Sequence, residues 1–123
     1  MPHIIHRQEL SSKRIKETGW ERFGLLGEEN SELIGADFEL LVLNVGETTP
    51  MHCHEDCEHY LFVLQGDGFL KLEDGEVPIA QNYLISIEPG ECHAVRNSDH
   101  KKLEILEFLI PSDGKTRIVR GDE

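Results

Sequence analysis

Basic residues are scarce in this sequence. Twelve lysines and arginines stand against 24 aspartates and glutamates, a formal net charge of −12. Phosphate backbones and anionic membrane surfaces would be repelled, so neither nucleic acid nor a membrane is an expected partner. Long apolar runs are missing too. No stretch approaches the roughly 20 residues that a membrane-spanning helix needs. The opening residues, MPHIIHRQEL, lack the apolar segment of a secretory leader. Cysteine is sparse: Cys53, Cys57 and Cys92 make an odd count, too few for a disulfide framework and consistent with a reducing compartment. These absences set the expectation of a cytoplasmic protein. Internal repeats, low-complexity tracts and a helix-turn-helix segment are also missing.

What is present suits one globular domain. The chain has 123 residues, 38% hydrophobic and 29% charged, enough for its own core and too few for two domains. Runs rich in β-branched and apolar residues recur between turn signals: 36–46, 59–66, 69–79, 82–90, 93–97 and 103–110. Asp74-Gly75 splits the third of these and marks a hairpin. Turns about every 8 to 12 residues predict an all-β sandwich or barrel of short antiparallel strands, with little helix. The segment SSKRIKETGWERF reads as mixed, a short turn of helix leading into a strand. Residues 1–35 are expected to pack on a barrel formed by 36–110. Residues 111–123 form a polar tail, loosely held unless it crosses to a partner chain. Runs such as LEILEFLI are apolar at both parities, so the outer face needs a cover and a homodimer is expected.

The stretch MHCHEDCEH, residues 51–59, concentrates three histidines and two cysteines in nine positions. A structural zinc finger would need a second Cys/His pair at finger spacing, and none follows. A redox dithiol would favour C-x-x-C, whereas Cys53 and Cys57 are separated by three residues. On a strand, side chains two apart share a face at about 6.6 Å along the chain. His52 and His54 would then face one side and Cys53 the other. Two imidazoles so placed can converge on one ion, with metal–nitrogen bonds near about 2.0–2.1 Å. His93 follows the Pro89-Gly90 turn and opens a later strand.

These residues resemble the two motifs of the cupin superfamily. Gly46, five residues, His52-x-His54, four residues, a ligand position at His59, and six residues to Gly66 resemble the first. Asn82, five residues, Glu88-Pro89-Gly90, two residues, His93, three residues and Asn97 resemble the second. The resemblance runs from about Ala36 to Ile110. It implies a jelly-roll barrel (a double-stranded β-helix), often dimeric, with a metal in its mouth.

Three departures from the family pattern stand out. Asn82 replaces a glycine, and asparagine tolerates left-handed backbone angles better than other non-glycine residues. Glu88 replaces a proline, with Pro89 beside it still able to fix the turn. The position of the family's glutamate ligand falls on Glu58 or His59. Counting back six residues from Gly66 favours His59, which would turn His59, Leu61, Val63 and Gln65 inward. Glu58 remains the alternative.

The resemblance thus implies one divalent transition metal (iron, zinc, nickel, manganese or copper) on His52, His54, His59 and His93. Four neutral imidazoles leave the ion's charge uncancelled, which favours an anionic small-molecule ligand. The expected function is a metal-dependent enzyme of oxygenase or isomerase/lyase type. The alternative is a metal-assisted ligand- or sugar-binding sensor without turnover. Glu104 and Glu107 are three apart on one strand and so have opposite parity; the inward one is a candidate catalytic base. Cys53 and Cys92 read as small buried hydrophobes turned away from the histidines, and Cys57, in the loop, as the cysteine to watch for oxidation. His3, His6, His100, Trp20, Tyr60, Arg96 and Asn97 are left outside the site.

Overall fold

From Leu103 to Ile110, buried residues alternate one for one with more exposed ones, as a strand with one face on a core requires. The stretch from Glu58 to Leu64 does the same. These two strands lie side by side at the centre of the fold, seen here in a computed structural model that describes residues 6, 12–14, 21–26, 37–98, 100–110 and 116–118. In chain order the strands are β1 (Ser12–Arg14), β2 (Glu21–Leu26), β3 (Asp37–Leu43), β4 (His52–His54), β5 (Glu58–Gln65) and β6 (Asp67–Leu72). Then come β7 (Gly75–Ala80), β8 (Leu84–Ile87), β9 (His93–Asn97), β10 (Leu103–Ile110) and β11 (Thr116–Ile118). Among the described residues there is no helix, and so none long and apolar enough to cross a membrane.

Two antiparallel sheets form, ordered β1-β2-β3-β10-β5-β8 and β11-β4-β9-β6-β7. This is the all-β, two-sheet jelly roll that the motifs implied. The expected strands fall within three residues of their predicted bounds, the largest differences being at the ends of 36–46 and 82–90, where the turn residues were counted with the strand. β6 and β7 form the expected hairpin, but its turn is Glu73–Asp74, and Gly75 already joins the ladder opposite Leu72. In the segment read as mixed, the described residues are strands β1 and β2; Trp20 lies outside the described residues. Residues 116–118 pair with β4, placing Thr116 opposite His54 and Ile118 opposite His52.

Leu43, Leu61, Val63, Leu103, Ile105 and Val95 are at most 2% exposed and form the heart of the core between the sheets. This apolar packing fills the lower part of the barrel. Toward the other end the same inner faces turn polar: the first inward residue of β5 is His59, that of β9 is His93, and β10 carries Glu107 past its midpoint. The inward set on β5 is His59, Leu61 and Val63. Gln65 is exposed, contrary to the parity count. The register slips between Glu104 and Ile105, which face Gln65 and Val63 respectively, and this bulge turns the strand end outward.

Two turns depend on backbone angles that ordinary side chains resist. Gly66 has φ +93°, and a Cβ there would lie 2.9 Å from the Lys102 carbonyl oxygen. Asn82 has φ +73°, the left-handed angle expected of it in place of glycine.

Candidate metal centre

β4 has only three residues, and the loop before it is what fixes its position. Thr49 donates its backbone N–H to the Val95 carbonyl at 2.9 Å, and its hydroxyl oxygen accepts the Val95 N–H at 2.9 Å. That double tie lays His52 directly opposite His93 on β9. From the other side, Gly90 donates its N–H to the His54 carbonyl at 2.8 Å. Gly90, at φ +84°, brings the second motif's turn against the end of β4.

Four imidazoles meet as a result. Ring centroids are 4.9 Å apart for His52–His54, 4.4 Å for His52–His93, 4.5 Å for His54–His59 and 4.9 Å for His59–His93. His54, His59 and His93 are buried and His52 is half-buried. Donor atoms of His52, His54 and His93 lie within 4.8 Å of one another, as do those of His54, His59 and Glu107.

Backbone carbonyls fix two of the tautomers. A carbonyl oxygen can only accept, so His52 Nδ1–H donates to Pro50 at 2.7 Å and His93 Nδ1–H to Glu91 at 3.1 Å. In a neutral ring that leaves the lone pair on Nε2. His93 is neutral, because burial, then the neighbouring His52 and His59, push its pKa down to about 3. His93 Nε2 and His59 Nδ1 are both buried and make no hydrogen bond. Lone pairs held out of water without a partner are costly unless something accepts them, and a metal ion would.

Glu107 is buried, and its Oε1 lies 2.5 Å from His59 Nε2. Burial alone would raise its carboxyl pKa. The hydrogen bond to His59 and the positive potential of His59, His52 and His54 outweigh that and hold it below the ordinary value. An ionised carboxylate only accepts, so His59 donates through Nε2 and keeps Nδ1 for another partner. A carboxylate that accepts one ring N–H in this way leaves the other nitrogen of an imidazole directed at a metal.

The other candidates lie elsewhere. Glu58 is exposed and accepts the Tyr60 hydroxyl at 2.9 Å. Glu104 is half-buried, opposite Val42 on the outer face. Arg96 lies 4.5 Å over the Phe69 ring and bonds Glu76, away from the histidines. Asn97 is buried and donates to the Leu43 and Lys101 carbonyls, organising its turn. His6 and His100 are exposed, and His3 lies outside the described residues.

Two features escaped the sequence reading. Glu39 stands opposite Glu107 on β3, half-buried on the inner face. Its parity with Leu41 and Leu43 was visible in DFELLVL, but its neighbour on β10 was not. The second is a correction. Cys53 and Cys92 are indeed buried and turned from the histidines, but they are joined as a disulfide, while Cys57 lies outside that bond and is buried. The bond arises because the His52–His93 pairing also sets Cys53 against Cys92, with Cα atoms 4.3 Å apart. At a separation of 39 residues no local spacing signals it. With two of three cysteines joined, their number no longer argues for a reducing compartment.

Comparison with known proteins fits this architecture. The profile described as a cupin domain matches residues 39–109. Auxin-binding protein 1 of Arabidopsis thaliana is 36% identical over 73 residues, covering 52% of this chain and 36% of that protein. The chain therefore spans only about a third of that relative's length. An oxalate-binding protein of Thermotoga maritima is 24% identical over 112 residues, covering 87% of this chain and 93% of that one. Among solved structures, the polyketide cyclase RemF of Streptomyces resistomycificus superposes with a TM-score of 0.82 at 22% identity, covering 97% of this chain and 86% of that one.

Proposed function

Because this chain belongs to the cupin domain family, we propose that His52, His54, His59 and His93 together hold one divalent transition-metal ion and present it to a small organic molecule. The observation that carries this reading is the convergence of four imidazole rings, with the buried nitrogens of His59 and His93 left without a hydrogen bond. An all-nitrogen set suits iron, zinc, nickel or copper; manganese becomes suitable if Glu107 joins as an oxygen donor. Bound there, such an ion supplies Lewis acidity to an oxygen of the ligand or of water.

The chain's own residues then have distinct tasks. Pro50 and Glu91 carbonyls orient His52 and His93. Glu107 orients His59 and is the carboxylate on the inner face best placed to exchange a proton with a ligand. Glu104 drops out of that role because it faces outward. The neutral imidazoles leave the ion's charge uncancelled, which favours a ligand with an anionic oxygen, and the oxalate-binding relative is in keeping with that. We read the protein as an enzyme of oxygenase or isomerase/lyase type. A ligand-binding module without turnover is the second reading, favoured by the two relatives known as binding proteins. We further propose a homodimer, because Leu84 and Ile110 remain 67% and 43% exposed on the outer side of the larger sheet. Light scattering at high micromolar concentration should give a dimeric mass, and a monomeric mass rejects the dimer.

Elemental analysis of protein purified without added metal tests the site itself. About one equivalent of a transition metal is expected, lost from the His93→Ala variant. Protein that stays metal-free even after incubation with zinc, nickel or iron(II) overturns the reading. Turnover of carboxylate or diol compounds by the loaded protein would separate the enzyme from the binding module.

A further inference from the structure

The strand that brings two of the four histidines is weakly held on the side that matters. β4 meets β9 at one register pair, His52 opposite His93, whereas β6 meets β9 over five. Next to that single pair lies the Cys53–Cys92 disulfide. Cys53 sits between His52 and His54 in sequence, and Cys92 directly precedes His93. The bond therefore ties together, from behind, the two strands that deliver three of the four imidazoles. Its sulfurs are on the opposite face from the rings, so it touches no ligand and acts through strand position alone.

We propose that Cys53 and Cys92 are positioning residues whose disulfide holds His52, His54 and His93 as one ligand set, and that reduction of this bond by a dithiol loosens the metal. The inference rests on the metal reading above. The step is a thiol–disulfide exchange. A thiolate of the dithiol attacks one sulfur and breaks the S–S bond, forming a mixed disulfide. The other cysteine leaves as a thiolate and takes up a proton; the second thiol of the reductant then attacks the mixed disulfide and frees the attacked cysteine, and the reductant leaves as its own disulfide. Two electrons and two protons pass to Cys53 and Cys92, which become thiols. Two thiols cannot stay at bonding distance. With Cα atoms only 4.3 Å apart, β4 and β9 must shift or the side chains must turn. A shift of Cys53 carries both flanking histidines with it. Access runs through Cys92, which is 6% exposed against 0% for Cys53, so exchange is slow.

The test uses the full chain, loaded with zinc. Thiols are counted in denaturant before and after treatment with a phosphine reductant, and zinc release to a chromophoric chelator is timed in both states. One thiol, Cys57, is expected in the oxidised protein and three in the reduced. Zinc release should be about tenfold faster or more after reduction, the scale seen when groups that orient metal ligands are lost. The Cys53→Ala/Cys92→Ala variant should match the reduced protein, and Cys57→Ala should match the oxidised one. Far-ultraviolet circular dichroism should stay unchanged throughout. Three thiols even after incubation with oxidised glutathione would overturn the proposal. Equal release rates would too, and so would loss of the β spectrum on reduction, because the bond would then hold the fold rather than the site. Oxidised protein that takes up no zinc overturns the metal reading and this inference together; oxidised and reduced forms that hold zinc alike overturn the inference alone.

Discussion

His59 Nε2 and Glu107 Oε1 lie 2.5 Å apart in the barrel, on neighbouring strands β5 and β10 and 48 residues apart in sequence. The carboxylate fixes which ring nitrogen of His59 carries the proton. Replacing Glu107 with alanine should therefore weaken metal binding about 10- to 100-fold. Glu104→Ala should leave it unchanged. Competition titration against a chelator of known affinity measures both, and equal affinities for wild type and Glu107→Ala would remove the orienting role.

Glu58 and His59 are adjacent but face opposite ways. Glu58→Ala should keep its metal and His59→Ala should lose most of it. His59→Glu should still bind metal while holding an anionic ligand more weakly, since a carboxylate cancels one unit of charge. If metal content instead falls only in Glu58→Ala, the ligand assignment moves to Glu58.

The metal-free protein should be acid-sensitive. His93 has a folded pKa of about 3 against 6.5 in the unfolded chain. Above pH 6.5 both states are neutral and the contribution to stability is complete. Between 6.5 and 3 the unfolded chain takes up a proton that the folded one refuses, so stability falls with pH. Glu107, also lowered, adds a loss below its ordinary value of 4.5. Urea midpoints from pH 7.5 to 4 should therefore decline for wild type and less steeply for His93→Gln. Parallel curves would show that His93 is not the group responsible.

Backbone angles predict a graded set of losses. Gly66→Ala adds a Cβ 2.9 Å from a carbonyl oxygen at φ +93°, and should destabilise by about 1–3 kcal/mol. Asn82→Ala, at φ +73°, should lose about 1 kcal/mol, and Asn82→Gly should lose little. Denaturant unfolding ranks the three, and a harmless Gly66→Ala would contradict the close approach at Lys102.

The sequence carried the strands because alternation and turn residues are local, and LEILEFLI and HAVRN were visible as they stand. It carried the histidine cluster because two rings share a strand face and the motif spacing supplied the others. What it did not carry is lateral. Which residue lies opposite Cys53, Glu107 or Gln65 depends on strand pairing and on a bulge, neither of which leaves a mark within either strand. Cys92 and Glu39 became visible as neighbours only once β4 met β9 and β3 met β10.

The hydrogen bonds from His52 to Pro50 and from His93 to Glu91 each span two residues. Their consequence is kinetic. In both rings the nitrogen that carries the proton is selected by the chain segment that bears the ring, before any ion arrives. Metal uptake then needs no proton relocation on these two rings, and its rate should rise linearly with metal concentration instead of levelling off at a slow internal rearrangement.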